Sequence, residues 1–212
     1  MIISMILYAA TGNRHKQKEL QELLPDYEIR IPEDDGIAFN PDETGNSFFE
    51  NSMIKAKALW DIVHKPVIAD DSGICVDALN GQPGIYTSRY AGPDFMHGRP
   101  DGKKISQEEQ NAFLIEQLNQ TGSQDRSCHY TCSIVLYAGK DRFYAAQEIF
   151  EGQLIKKIED SAGTGGFGYD PIVFLPEYGK TVAEISAEEK NKISHRGKAV
   201  KSISEFLKNV KF

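Results

Sequence analysis

The sequence predicts one mixed α/β domain spanning residues 1–212, on three observations. Apolar runs of strand length alternate with helical patterns, the helical patterns carry their own start and stop signals, and no composition break marks a linker. Taken in order, Ile6–Ala10 is apolar and strand-like, and the opening from Met1 is read as part of that strand. Thr11-Gly12-Asn13 turns the chain into a helix whose face is marked by Leu20, Leu23 and Leu24. Phe49, Met53, Ala56, Trp60 and Val63 recur at helical spacing behind Ser47 and Glu50, which read as a capping box, and Pro66 stops that helix. Val67-Ile68-Ala69 is a buried-strand run. Ser72-Gly73 reads as a turn, with Ile74–Leu79 as a further strand. A polar stretch over 98–104 is the expected long surface loop, and 106–120 is helical through Phe113, Ile115 and Leu118. Ser127–Ala138 and Arg142–Phe150 flank Gly139-Lys140-Asp141 as a hairpin, followed by the apolar run Pro171–Leu175 and a C-terminal helix through Val200, Ile203, Phe206 and Leu207.

Composition narrows the function classes. A chain of 212 residues is long enough for one sizeable core without disulfides or a structural metal. No apolar run approaches the roughly 20 residues needed to cross a bilayer, and no leader-like n-region opens the chain, so a soluble cytoplasmic protein without a membrane partner is expected. A net charge of −7 argues against a protein that grips a nucleic-acid backbone, so any phosphate site must be local. Three cysteines without a C-x-x-C pattern fit reduced thiols. Cys128 and Cys132 stand about 13 Å apart on an extended strand, too far for a disulfide or shared zinc, and are expected in the core.

Several short segments carry chemistry. Thr11-Gly12-Asn13-Arg14-His15-Lys16 places a glycine where a strand becomes a helix, so backbone N–H groups and Lys16 can face an anion; an ordinary turn has the same residues. Neither this segment nor Gly163-Thr164-Gly165-Gly166-Phe167-Gly168 has Walker A or dinucleotide-fold spacing. Asp70-Asp71-Ser72-Gly73 ends a buried strand, where two adjacent carboxylates repel unless a cation compensates; a hydrated Mg²⁺ site and a solvated turn are both open on this segment alone. Strand alternation sends the two side chains to opposite faces. Asp42-Glu43 offers a second acidic pair before the Ser47 helix, and Lys55 reaches either a phosphate or solvent. Ser186 and Glu189 read as another capping box, with Lys190 behind them. Ser194 can cap the last helix, leaving His195 and Arg196 at its positive end, where an anion must compensate them.

In this order, six motifs make the chain resemble the inosine triphosphate pyrophosphatase family over nearly its whole length. They are Thr11-Gly12-Asn13-x-x-Lys16; Phe49-Glu50-Asn51 with Lys55; Ala69-Asp70-Asp71-Ser72-Gly73; Pro83-Gly84-Ile85-Tyr86-x-Ser88-Arg89-Tyr90; Gly163 to Pro171; and Ser194-His195-Arg196. The resemblance implies two α/β lobes around an elongated mixed sheet with a central substrate cleft, and a homodimer. It implies hydrolysis of non-canonical purine nucleoside triphosphates (inosine, deoxyinosine and xanthosine) to the monophosphate and pyrophosphate, with Mg²⁺. Carried onto this chain, Thr11, Gly12, Asn13, Arg14, His15 and Lys16 cradle the triphosphate. Asp71 is general base or metal-directed carboxylate, Glu43 rather than Asp42 is the second metal ligand, and Ser72 touches substrate. Phe167, Gly168, Tyr169 and Asp170 line the purine pocket and Lys190 contacts the nucleotide. His195 and Arg196 read the 6-oxo group, which accepts hydrogen bonds where the adenine amino group donates them.

Overall fold

The computed structural model describes residues 5–92 and 105–208, so residues 1–4 of the expected first strand and the expected loop over 98–104 lie outside the described residues. The strands are β1 (Met5–Ala9), β2 (Tyr27–Arg30), β3 (Val67–Val76), β4 (Gln82–Pro83), β5 (Ser127–Gly139), β6 (Arg142–Leu154), β7 (Val173–Leu175) and β8 (Lys180–Thr181). The α-helices are α1 (Arg14–Leu23), α2 (Phe48–Val63), α3 (Gln107–Gln120), α4 (Ala187–Ile193) and α5 (His195–Leu207). The strands form one mixed sheet of eight in the order β2-β1-β3-β5-β6-β7-β8, with β4 paired to β3. β1 is parallel to both β2 and β3, while β4, β7 and β8 add antiparallel pairs. Among the described residues no helix is long and apolar enough to cross a membrane.

The described chain forms two compact units. The first draws on Met1–Asp71, Cys132–Glu148 and Asn191–Phe212, the second on Ser72–Thr131 and Ile149–Lys190. In the first unit α1 and α5 bury Leu20, Leu24, Val200 and Ile203 against Leu7 and Ile68 of the sheet, together with Cys132 and Ile134. On another cluster of that unit, Ala56 and Leu59 of α2 meet Tyr8, Val67, Ala69 and Val135, with Trp60 edge-on to Tyr137. Each helix begins as its sequence directs. Asn13 caps α1 by accepting from His15 N and Lys16 N, Ser47 caps α2 through Glu50 N, and Ser106 with Glu109 closes a full capping box on α3. The Glu50 carboxylate reaches Asn46 N at 2.6 Å, one residue earlier than a strict capping box requires.

Two expectations need correction. Ser72-Gly73 is not a turn, since Val67–Val76 is one continuous strand, and Leu79 closes a short 3-10 turn instead of a second strand. Gly73 serves close packing within the second unit: a Cβ there would come within 2.3 Å of Thr87 Oγ1 and 2.5 Å of the Gly84 carbonyl. Thr87 Oγ1 in turn accepts the Ile74 N–H at 2.9 Å. The four-residue β2, which no apolar run announces, is a short edge strand held by its parallel register on β1.

Candidate active site

The acidic pair at the centre of β3 is buried, Asp70 at 4% and Asp71 at 7% relative exposure, so the solvated-turn reading fails. Successive residues of a strand point apart, and each carboxylate meets its own cations. Asp70 receives Lys16 Nζ from the first turn of α1, and Arg196 Nε at 3.0 Å and Nη2 at 3.3 Å from the first turn of α5. Cys132 Sγ on β5 lies 2.8 Å from Asp70 Oδ2. Burial alone would raise Asp70, but Arg196 and Lys16 outweigh it and hold the carboxyl well below the usual range. Burial likewise opposes the Arg196 charge; Asp70 and Glu19, the latter paired with Arg196 Nη1, overcome it and keep the guanidinium charged. The anions that make a cation tolerable at the α5 N-terminus are thus the protein's own. Gly197 permits the tight corner that sets this geometry, because a Cβ there would fall 1.9 Å from the Asn191 carbonyl. Ser194 caps the turn through Gly197 N at 3.1 Å, and His195 beside it is buried.

Asp71 faces α2. Lys55 Nζ lies 2.6 Å from Asp71 Oδ1 and 3.3 Å from Glu43 Oε1, and Asn51 Nδ2 lies 3.5 Å from Asp71 Oδ2. Lys55 does not reach into solvent; its side chain is buried between two carboxylates. Helical periodicity could not find this, because the residue that makes Lys55 a buried ion is Asp71, on a strand in another part of the chain. Burial raises the Asp71 carboxyl above its usual value, Lys55 and Lys16 pull it back, and Glu43 pushes it up again; the net direction is upward. Burial also works against the Lys55 charge, and Asp71 with Glu43 more than restores it. Among the described residues no group of three or more His, Cys, Asp or Glu side chains is placed to hold a metal, so Glu43 and Asp71 stand as a pair.

In the turn before α1, Thr11 Oγ1 accepts Asn13 N, Arg14 is exposed and paired with Glu33 and Asp34, and a Cβ at Gly12 would meet no protein atom. His15 is exposed and Lys16 only partly so.

The second unit holds the other predicted residues. Asp170 is a buried anchor whose Oδ2 accepts Phe167 N at 2.8 Å and Lys190 Nζ at 2.7 Å. Lys190 Nζ stands 5.0 Å from the centroid of the Phe167 ring, a cation–π contact. Two groups that sequence reasoning missed brace this loop: Asn111 of α3 donates to the Gly168 carbonyl at 3.3 Å, and the Thr87 carbonyl accepts the Tyr169 hydroxyl at 3.2 Å. Ser72 is half-buried at the start of the unit.

Residues 7–206 match the Ham1 family. The dITP/XTP pyrophosphatase of Treponema denticola is 50% identical over 204 residues, covering 96% of this chain and 99% of its own. A solved HAM1 protein from Coxiella burnetii superposes with a TM-score of 0.83 at 34% identity, over 97% of this chain and all of that one. The Ham1 protein of Staphylococcus aureus gives 0.80 at 33% identity, again over 97% of this chain and all of its own.

Proposed function

The chain belongs to the Ham1 family, and from that premise we propose how it works as a dITP/XTP pyrophosphatase. It hydrolyses inosine, deoxyinosine and xanthosine triphosphates to the monophosphate and pyrophosphate, removing them from the nucleotide pool. The observation that carries the mechanism is the environment of Asp71, a buried carboxylate pushed above its usual pKa, fixed by Lys55 and facing Glu43. Two carboxylates converging on one cation supply hard oxygen donors and leave most of a coordination sphere to water and phosphate oxygens, which suits Mg²⁺. Asp71 and Glu43 are the groups assigned to hold it. When bound, Mg²⁺ neutralises charge on the polyphosphate.

Asp71 orients a water toward the α-phosphorus and accepts its proton as the new P–O bond forms, while the bond to the bridging oxygen breaks and pyrophosphate leaves. Thr11, Gly12, Asn13, Arg14, His15 and Lys16 are assigned to the triphosphate. The bare face of Gly12 leaves room there, and Lys16 contributes charge. Ser72 is assigned a contact to substrate. Phe167, Gly168, Tyr169 and Asp170 are assigned to the purine, with Asp170 shaping the loop and Lys190 meeting the nucleotide. The family pattern gives the 6-oxo group to His195 and Arg196. Arg196 is held in place by Asp70 and Glu19 beside His195, and His195 and Arg196 are both assigned to that group. The two units serve as one catalytic domain, the protein works as a homodimer, and the cytoplasm is its compartment.

A panel of nucleoside triphosphates with Mg²⁺ and pyrophosphate detection tests this reading. Inosine, deoxyinosine and xanthosine triphosphates are expected to outrun the four standard nucleotides. A standard nucleotide turned over as fast, or no pyrophosphate from any of them, overturns it.

A further inference from the structure

Asn51 is wholly buried, at 0% exposure, on the first turns of α2. Its side chain is used at both ends. Oδ1 accepts the Gly45 N–H at 2.9 Å, which fixes the amide orientation and turns Nδ2 toward Asp71 Oδ2 at 3.5 Å. Lys55 lies four residues further along α2, on the same face, and takes the other oxygen, Asp71 Oδ1. One helix face therefore holds both oxygens of the carboxylate. Gly45 ends the short segment that carries Glu43, whose Oε1 shares the Lys55 ammonium with Asp71.

We infer that Asn51 is a positioning residue of the reaction. It clamps Asp71 with its amide nitrogen and the Gly45 backbone with its amide oxygen, and so fixes the spacing at which Asp71 and Glu43 converge on a single cation. The inference rests on the proposed assignment of those two carboxylates to Mg²⁺. Only an amide fits both ends of this contact. Asp would set a second carboxylate against Asp71, and an apolar residue would orphan the Gly45 donor and leave Asp71 free to turn. Partners of this kind behind a metal's ligands are worth about 10- to 100-fold in affinity or activity.

The test titrates the full chain, without nucleotide, with Mn²⁺ as a paramagnetic probe, in wild type, Asn51→Leu and Ser52→Ala. Ser52 is the control, since it neighbours Asn51, is equally buried, and spends its hydroxyl on the Ser133 carbonyl at 2.7 Å, with no tie to Asp71 or Gly45. Asn51→Leu is expected to raise the Mn²⁺ dissociation constant about 10- to 100-fold and to lower kcat on xanthosine triphosphate by a similar factor, with KM little changed. Ser52→Ala is expected to lose stability and leave the Mn²⁺ constant alone. Should Asn51→Leu fail to fold, Asn51→Ala is read by the same criteria. Unaltered Mn²⁺ binding in the folded Asn51 variant, an equal weakening in Ser52→Ala, or no Mn²⁺ binding by wild type each overturns the inference. A wild type that binds Mn²⁺ but releases no pyrophosphate strikes the proposed activity instead, and the titration still judges Asn51.

Discussion

Replacing Lys55 by Met removes the one ammonium that Asp71 and Glu43 share while keeping the length and much of the volume of the side chain. The Asp71 contact is short, 2.6 Å, and both side chains are about nine-tenths buried. Breaking a buried pair from one side strands the other charge, at about 3–5 kcal/mol. Glu43 is a third exposed and 3.3 Å away, so its loss adds at most about 1 kcal/mol. A chain of this size shifts its melting temperature by about 2–4 °C per kcal/mol, which puts the expected fall at about 6–24 °C. The consequence particular to this site concerns Mg²⁺. With the ammonium gone, the same two carboxylates lack a cation, so added Mg²⁺ is expected to stabilise Lys55→Met more than wild type; at a hundred times its dissociation constant the gain is about 2.7 kcal/mol. Thermal unfolding of both proteins with and without Mg²⁺ measures this directly. A variant that melts like wild type, or one whose Mg²⁺ response does not exceed that of wild type, refutes the assignment of these carboxylates to one cation locus.

Asp71→Asn is expected to keep the fold and lower kcat by at least about 100-fold, the lower end of what a proton acceptor contributes, as read by pyrophosphate release. His195→Ala is expected to narrow the preference for inosine over adenosine triphosphate, and equal losses in kcat/KM on both would point to packing instead of recognition. Asp70 governs an acid limb. Its folded pKa is depressed while the unfolded value is near 3.9, so between the two the unfolded chain binds the extra proton and stability rises with pH. That contribution is complete above about pH 5 and is lost as pH falls through the unfolded value toward the folded one. Urea unfolding from acid to neutral pH is expected to show this slope in wild type and to lose part of it in Asp70→Asn; an identical slope would contradict the role given to Arg196 and Lys16.

The parts of this molecule that were legible in sequence are those set by local rules. Ser47, Ser186 and Ser194 announced helix starts that the structure realises, and strand alternation alone separated Asp70 from Asp71. The illegible parts depend on partners distant in the chain. Ser72-Gly73 has turn chemistry, yet the strand continues, because the site of close packing belongs to Thr87 and Gly84. Lys55 sits off the apolar stripe of α2 and so read as a surface or phosphate-facing lysine, when its place is set by Asp71. Strand alternation put Asp70 and Asp71 on opposite faces but could not name their counter-charges, which come from distant helices: Lys16 and Arg196 for Asp70, Lys55 for Asp71. Asn111 and Thr87, which brace the Phe167–Asp170 loop, carried no recognisable pattern because both act on backbone carbonyl groups or through one.

The central claim is that water cleaves the bond between the α- and β-phosphates. Phosphorus NMR of xanthosine triphosphate incubated with the protein and Mg²⁺ tests it most directly. Xanthosine monophosphate and pyrophosphate appearing in equal amounts is the expected result, and xanthosine diphosphate with inorganic phosphate, or an unchanged triphosphate, would contradict it.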